Sequence, residues 1–454
     1  MAAIPGDIDT DSQPPMTIPL RHFVVGFGFL LAGAAAGLLV AVDATPGLGR
    51  LAHVHLLFAG WVCLTILGAM TQFVPVWSGV ELYSRRLARL QLPLVAVGVA
   101  GMAAAFATGA IHWIHGFGGL AVAGFWVFTY NLARTLLRAR PLDVTEQHFA
   151  FALGCFLAVP TLGFLLALDF TLPVTTALGV THLGLRGAHV TLAVFGAVLA
   201  TVVGALYQLA TMFTGTTLHG LDHPLQRVES VGYPVGVVAL AAGRLVDALW
   251  LARVGGLLVT VGLLAVAVVL ARKLQETRHD STPMLARYAV VAATLAVWAA
   301  FALPTWLVDP LAPAALFGAP GSVHLLTLGV VGFVVCGTLY HVVPFVVWVH
   351  RYSDRLGFEP VPMIDDLYDA RIARADFLAF LVGSGVLALG DAVPLPTAGL
   401  ALGGALLTLA AVLFVGNLVL VLREHAPQSV PAVLLGRLLP GSGRSPPSSE
   451  NGRA

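Results

Sequence analysis

Long apolar stretches separated by short polar turns run through almost the whole chain. A run of more than about 18 apolar residues with few charges is long enough to cross a bilayer as a helix. The pattern predicts twelve such spans, near residues 20–42, 51–77, 88–110, 112–136, 147–170, 186–213, 229–249, 251–272, 285–308, 321–349, 373–393 and 397–422. The expected fold class is an all-α polytopic membrane protein with 12 transmembrane helices. Residues 1–17 are polar and carry Asp7, Asp9 and Asp11, so they read as a disordered tail and not as the basic head of a signal peptide. The Pro-, Ser- and Gly-rich segment 426–454 reads as a second disordered tail, leaving a membrane domain over 18–425.

Within the apolar pattern one segment occurs three times. His53-Val54-His55-Leu56, His189-Val190-Thr191-Leu192 and Ser322-Val323-His324-Leu325 open spans two, six and ten. Each is followed at equal offsets by Gly60/Gly196/Gly329, Val62/Val198/Val331, Gly68/Gly204/Gly337, Met70/Leu206/Leu339 and Gln72/Gln208/His341. The spans therefore divide into three pseudo-repeats of four, over about 18–140, 141–280 and 281–425.

Apolar residues make up 58% of the chain and charged residues only 10%, against roughly 25% charge in a soluble protein. Lipid is thus the first partner. A net charge of +1 without a basic patch excludes a nucleic-acid partner. Cys63, Cys155 and Cys336 lie in apolar runs without paired spacing, which predicts packing and not disulfides. Charge also sets orientation. Of the 24 Lys and Arg residues, only Arg50, Arg186, Arg244 and Arg253 fall on the side away from the termini. The positive-inside rule then places both termini in the cytoplasm and the repeated histidines near the outer face. The cytoplasmic loop 350–372 is mixed in charge and is expected to be solvated. The 49 glycines suit close helix packing in lipid.

Histidine is where candidate chemistry enters. Ionisable groups inside a membrane are costly and tend to be functional, and imidazole is a common ligand of haem iron and copper. His53, His55, His112, His115, His182, His189 and His324 all fall at outer span ends. A single interfacial histidine is more often hydrogen-bonded to backbone or water. The repeat-equivalent His55 and His324 favour ligation. His53 and His55 differ by about 200° around a helix, so they face different sites. His324 and His341 are about 25 Å apart along the axis and cannot share one. His112 and His115 lie on one helix face, where copper binding competes with an interfacial role. His148, His219, His223, His279, His350 and His425 are placed in cytoplasmic loops without a role. Gln72, Gln208, Tyr207, Tyr340 and His341 recur at one inner level, as a polar lining or as helix–helix hydrogen bonds. Asp169, Asp247 and Asp391 sit near span ends, and no buried carboxylate ladder is apparent.

Twelve spans in three blocks, with histidines at the outer ends of spans two and ten, resemble subunit I of the haem-copper oxidase superfamily. Span ten is the most similar, with His324, Gly329, Gly332, Gly337, His341 and Pro344 matching an outer His, a glycine-rich middle and an inner His-x-x-Pro. That resemblance implies a low-spin haem between His55 and His324. It also exposes departures. Ser322 stands where the family has the ligand of its high-spin haem, span seven carries no His-His pair, and Ala193 replaces the Tyr of a His-x-x-x-Tyr pair on span six. The oxygen-reducing binuclear centre is therefore expected to be incomplete. The chain is also similar to NnrS-type haem- and copper-binding membrane proteins, through His53-Val54-His55, Pro75-Val76-Trp77-Ser78-Gly79 and His324 to Gly329. Those proteins are associated with nitric oxide metabolism.

These readings converge on an integral membrane haem protein in electron transfer or nitric oxide or oxygen chemistry. The cofactor-binding residues expected are His55 and His324 for the haem, with His189 and His53 for any second centre. Copper is a second candidate metal, at His189, His112 and His115. No Cys-x-x-Cys-His is present, which points to b-type haem. Electrons would come from a redox partner protein or quinol, since the chain has no soluble copper domain. Two rivals are an active oxygen or nitric oxide reductase with copper ligands at His112, His115, His182 and His189, and a cofactor-free transporter or structural protein.

Overall fold

The computed structural model describes residues 14–435. The expected tails fall largely outside that range. Inside it, Thr17 already opens the first helix, and Val430–Leu435 form a short helix where the sequence suggested disorder. Arg21 donates to the carbonyl of Val433, so this short helix is pinned to the first one.

The architecture is all-helical among the described residues, and the chain is a polytopic helical membrane protein. The long helices are α1 (Thr17–Ala41), α2 (Gly49–Ser78), α3 (Arg85–Thr108), α4 (Ile111–Leu136), α5 (Val144–Leu168), α6 (His182–Thr214), α7 (Asp222–Leu245), α8 (Leu249–Glu276), α9 (Pro283–Val308), α10 (Val323–Arg351), α11 (Ala370–Ala392) and α12 (Thr397–His425). Eleven of them, all but α7, are long and apolar enough to cross a membrane. Eleven of the twelve spans read from the sequence meet that measure, and one does not. The reason lies in α7, which has 24 residues and includes Asp222, Arg227, Glu229 and Arg244. Asp222, Glu229 and Arg244 are buried against neighbouring helices, while Val228, Val231, Val235 and Val238 face outward. α7 is amphipathic with three of these four charges turned inward and Arg227 exposed, largely the reverse of a helix on a water-soluble protein.

The first two helices of each block pack in the same register. Seven residues separate His22 from Phe29 on α1, His148 from Cys155 on α5, and Arg287 from Thr294 on α9. A methyl group on Gly60, Gly196 or Gly329 would lie 2.4, 2.5 or 2.5 Å from Phe29, Cys155 or Thr294 respectively. On Gly68, Gly204 or Gly337 it would lie 2.7, 2.7 or 3.2 Å from the Cβ of His22, His148 or Arg287. Glycine at both levels is what lets the helices approach this closely. At the upper level α2, α6 and α10 also loosen into π-helical turns, at Leu56–Val62, Leu192–Leu199 and Thr327–Gly332. Each turn begins within a few residues of the repeated histidine position. Such turns re-aim the side chains beside them and recur at functional sites.

Candidate functional site

The four repeat histidines are held in one protonation pattern. His53 Nδ1 donates to the Gly33 carbonyl at 2.9 Å, and His189 Nδ1 to the Val159 carbonyl at 3.0 Å. Gly33 and Val159 occupy equal positions, each eleven residues beyond His22 or His148. Four residues further, Gly37 and Gly163 clear space for the two rings, since a methyl group there would come within 2.6 and 2.9 Å of Cε1. His55 Nδ1 donates to the carbonyl of Leu51 at 2.8 Å, one turn back on its own helix. His324 Nδ1 lies 2.9 Å from Asp391, whose other oxygen accepts the His324 backbone N–H at 3.0 Å. Carbonyls and carboxylates only accept, so each Nδ1 is the donor, and in the neutral ring each Nε2 is left with its lone pair.

The sequence paired His55 with His324 by repeat position; the structure puts His53 and His189 in equivalent places, each bonded to a backbone carbonyl of the first helix of its block. An apolar groove of about 470 Å³ runs between α1, α2 and α3, lined by Phe29, Thr45, Ala52, Leu56 and Ala103 and by no histidine. The His55 ring packs against Phe106 with centroids 5.3 Å apart.

At this level the second block differs. Thr191 takes the position of His55 and His324, bonding the Gly187 carbonyl one turn back at 2.6 Å, as His55 does with Leu51. Its hydroxyl also accepts from Arg244 at 2.7 Å. The buried Arg244 guanidinium goes on to grip the carbonyls of Pro310, Ala315 and Leu316. This corner is cemented by backbone and offers no metal ligand.

The remaining candidates scatter. His112 is exposed, against Trp113. His115 Nε2 bonds the Ala167 carbonyl at 3.0 Å, and His182 Nδ1 bonds Asp169 at 2.9 Å. Among the described residues the one group of three ligand side chains close enough for a metal ion is His219, Asp222 and Glu276. Lys273 and Arg272 already neutralise its two carboxylates, so it is an ion-pair network. Outside the spans, Asp169 is held below the usual carboxylate range by the Thr175 backbone N–H and then by His182.

The polar level near the other end of the bundle is richer than the sequence suggested. Tyr207 and Tyr340, expected there, each join a buried triad across the first three helices of a block, and a third triad occupies the same place in block one. In block one the Gln91 amide reaches both neighbours: its Nε2 lies 3.1 Å from His22 Nε2 and donates to Thr71 Oγ1 at 3.3 Å. In block two Glu229 joins His148 and Tyr207, each at 2.8 Å. In block three Asp376 joins Arg287 and Tyr340, and Asn417 donates to Tyr340 at 3.2 Å. His22, His148 and Arg287 each also bond the carbonyl one turn back on their own helix. Gln91, Glu229 and Asp376 each follow by seven residues a helix-start residue, Ser84, Asp222 or Asp369. A buried side chain from the fourth helix, Asn131, Lys273 or Asn417, holds each of these starts.

This layer corrects two expectations. His148 is buried within α5 and not in a loop, and the helices bury two carboxylates, Glu229 and Asp376, besides the acids expected near span ends. The signal was the seven-residue spacing, masked because the paired residues differ in type. Gln72 is buried with its Oε1 unpartnered, Gln208 is exposed, and His341 packs 4.3 Å from Phe213. The sequence matches no known family model and no curated protein.

Proposed function

We propose that this is an integral membrane haem protein on the plan of haem-copper oxidase subunit I. In this reading α7 is the twelfth span, the helices form three blocks of four, and both termini are cytoplasmic. One observation carries it: His53, His55, His189 and His324 all have Nδ1 committed to a carbonyl or carboxylate, leaving four Nε2 lone pairs at the same end of the bundle. A neutral imidazole fixed in this way is the form that ligates haem iron or copper, and Asp391 behind His324 is the usual supporting carboxylate. The donor set fits, being all nitrogen.

His324 would hold a low-spin haem with a histidine of α2, and His189 with the other would hold a second haem or copper. Haem bound there supplies one-electron transfer and a place for nitric oxide or oxygen. The protein's own residues fix the ring tautomers and wall the site with apolar side chains. Electrons would arrive from a redox protein or from quinol in the lipid. Thr191 and Arg244 leave block two short of a ligand, which supports an incomplete binuclear centre over an active reductase.

The test is haem content by pyridine haemochrome, with copper analysis, on detergent-purified protein expressed with ample haem. The expected result is stoichiometric haem, lost in His324→Ala and in the His53→Ala/His55→Ala pair. Normal haem content in those variants would overturn the assignment. A protein free of haem and metal would favour the cofactor-free transporter or structural reading.

A further inference from the structure

Six buried side-chain atoms lack a hydrogen-bond partner among the described residues, and five belong to block one: Trp61 Nε1, Thr65 Oγ1, Gln72 Oε1, Gln91 Oε1 and Thr129 Oγ1. Their residues are only 4, 6, 2, 0 and 8% exposed. Buried polar groups are nearly always paired, and each left unpaired costs about 1–3 kcal/mol. The corresponding positions elsewhere do not share the problem. Trp61 corresponds to Ala197 and Val330, and Thr65 to Val334 and to Thr201, whose hydroxyl bonds the Ala197 carbonyl at 2.7 Å.

Three of the five also share one face of α2. Trp61, Thr65 and Gln72 lie within about 40° of one another around α2. Gly26 of α1 faces the upper two, where a methyl group would stand 3.5 Å from Thr65 Oγ1 and 3.9 Å from Trp61 Cδ1. The absent side chain at Gly26 leaves room beside both. Gln91 of α3 reaches towards the same helix through Thr71. The set contains one donor, two acceptors and two hydroxyls that do both. Water matches it; an indole N–H and the lack of any carboxylate disfavour a cation.

We propose that block one encloses an internal water seam, with one part beside Gly26 bridging Trp61 and Thr65 and another serving Gln72, Gln91 and Thr129. It stands whether or not the histidines carry haem.

Radiolytic hydroxyl-radical labelling of the full chain in detergent, read residue by residue by mass spectrometry, tests this. Trp298 and Trp306, 0% exposed against 4% for Trp61, are the buried controls whose indole N–H groups are paired: they donate to the Phe317 and Ala315 carbonyls, each at 2.7 Å. Trp61 should label several-fold faster than either. Gly26→Ala places its methyl at ordinary contact distance, so it should fill the space without unfolding the protein and bring Trp61 down to the control rate. Labelling of wild-type Trp61 as slow as the controls overturns the proposal, and so does fast labelling that survives Gly26→Ala.

Discussion

Blocks one and three bury different chemistry at the same place. Block one joins three helices with neutral hydrogen bonds among His22, Thr71 and Gln91. Block three uses an Arg287–Asp376 ion pair closed by Tyr340 and Asn417. Block two stands between, with a histidine and a carboxylate. The position therefore calls for a polar link among three helices, not for a particular charge. The consequences of breaking the link differ, because a stranded charge in an apolar interior costs far more than a stranded dipole.

The largest effect is expected for Asp376→Ala, which leaves the Arg287 guanidinium buried beside no carboxylate. It should cost about 3–5 kcal/mol, visible as early thermal unfolding in detergent. Replacing both partners, as Arg287→Met with Asp376→Leu, should recover most of that loss. A single variant no worse than its block-one counterpart would break the comparison.

Glu229→Gln comes next. The amide still accepts from Tyr207 or His148 but brings no charge, so about 1–3 kcal/mol is expected in the same assay. Gln91→Leu should be milder, about 0.5–1.5 kcal/mol, because no ion loses its partner.

The smallest effect concerns the loop between α5 and α6. Asp169 titrates below the usual carboxylate range, first because of the Thr175 backbone N–H and then because of His182. A depressed carboxyl contributes order that is fully present above its unfolded value, near about 4. That order is lost as pH falls through the lower folded value. Hydrogen–deuterium exchange over 170–182 should rise only in that acidic window. Asp169→Asn should raise it at neutral pH as well.

Much of this was legible in the sequence. The apolar runs placed the long helices, and the glycines after His53, His189 and Ser322 marked the shared register of α2, α6 and α10. The triads were not legible, because His22, His148 and Arg287 look unrelated until Gly68, Gly204 and Gly337 are seen against them. The inward-turned charges on α7 were not legible, because a linear pattern does not say which face turns inward. The π-helical turns are a backbone property that no residue type announces. The role of Asp391 was equally hidden: it lies 67 residues from His324, on α11, and only the folded chain brings its carboxylate to the ring.

The central claim is that the repeat histidines hold haem. The most direct measurement is the reduced-minus-oxidised visible spectrum of the purified protein, compared with that of His324→Ala and Asp391→Asn. A sharp low-spin band in the wild type, lost in His324→Ala and shifted or weakened in Asp391→Asn, is the predicted result. A featureless wild-type spectrum despite ample haem during expression, or a band untouched by His324→Ala, would contradict the account.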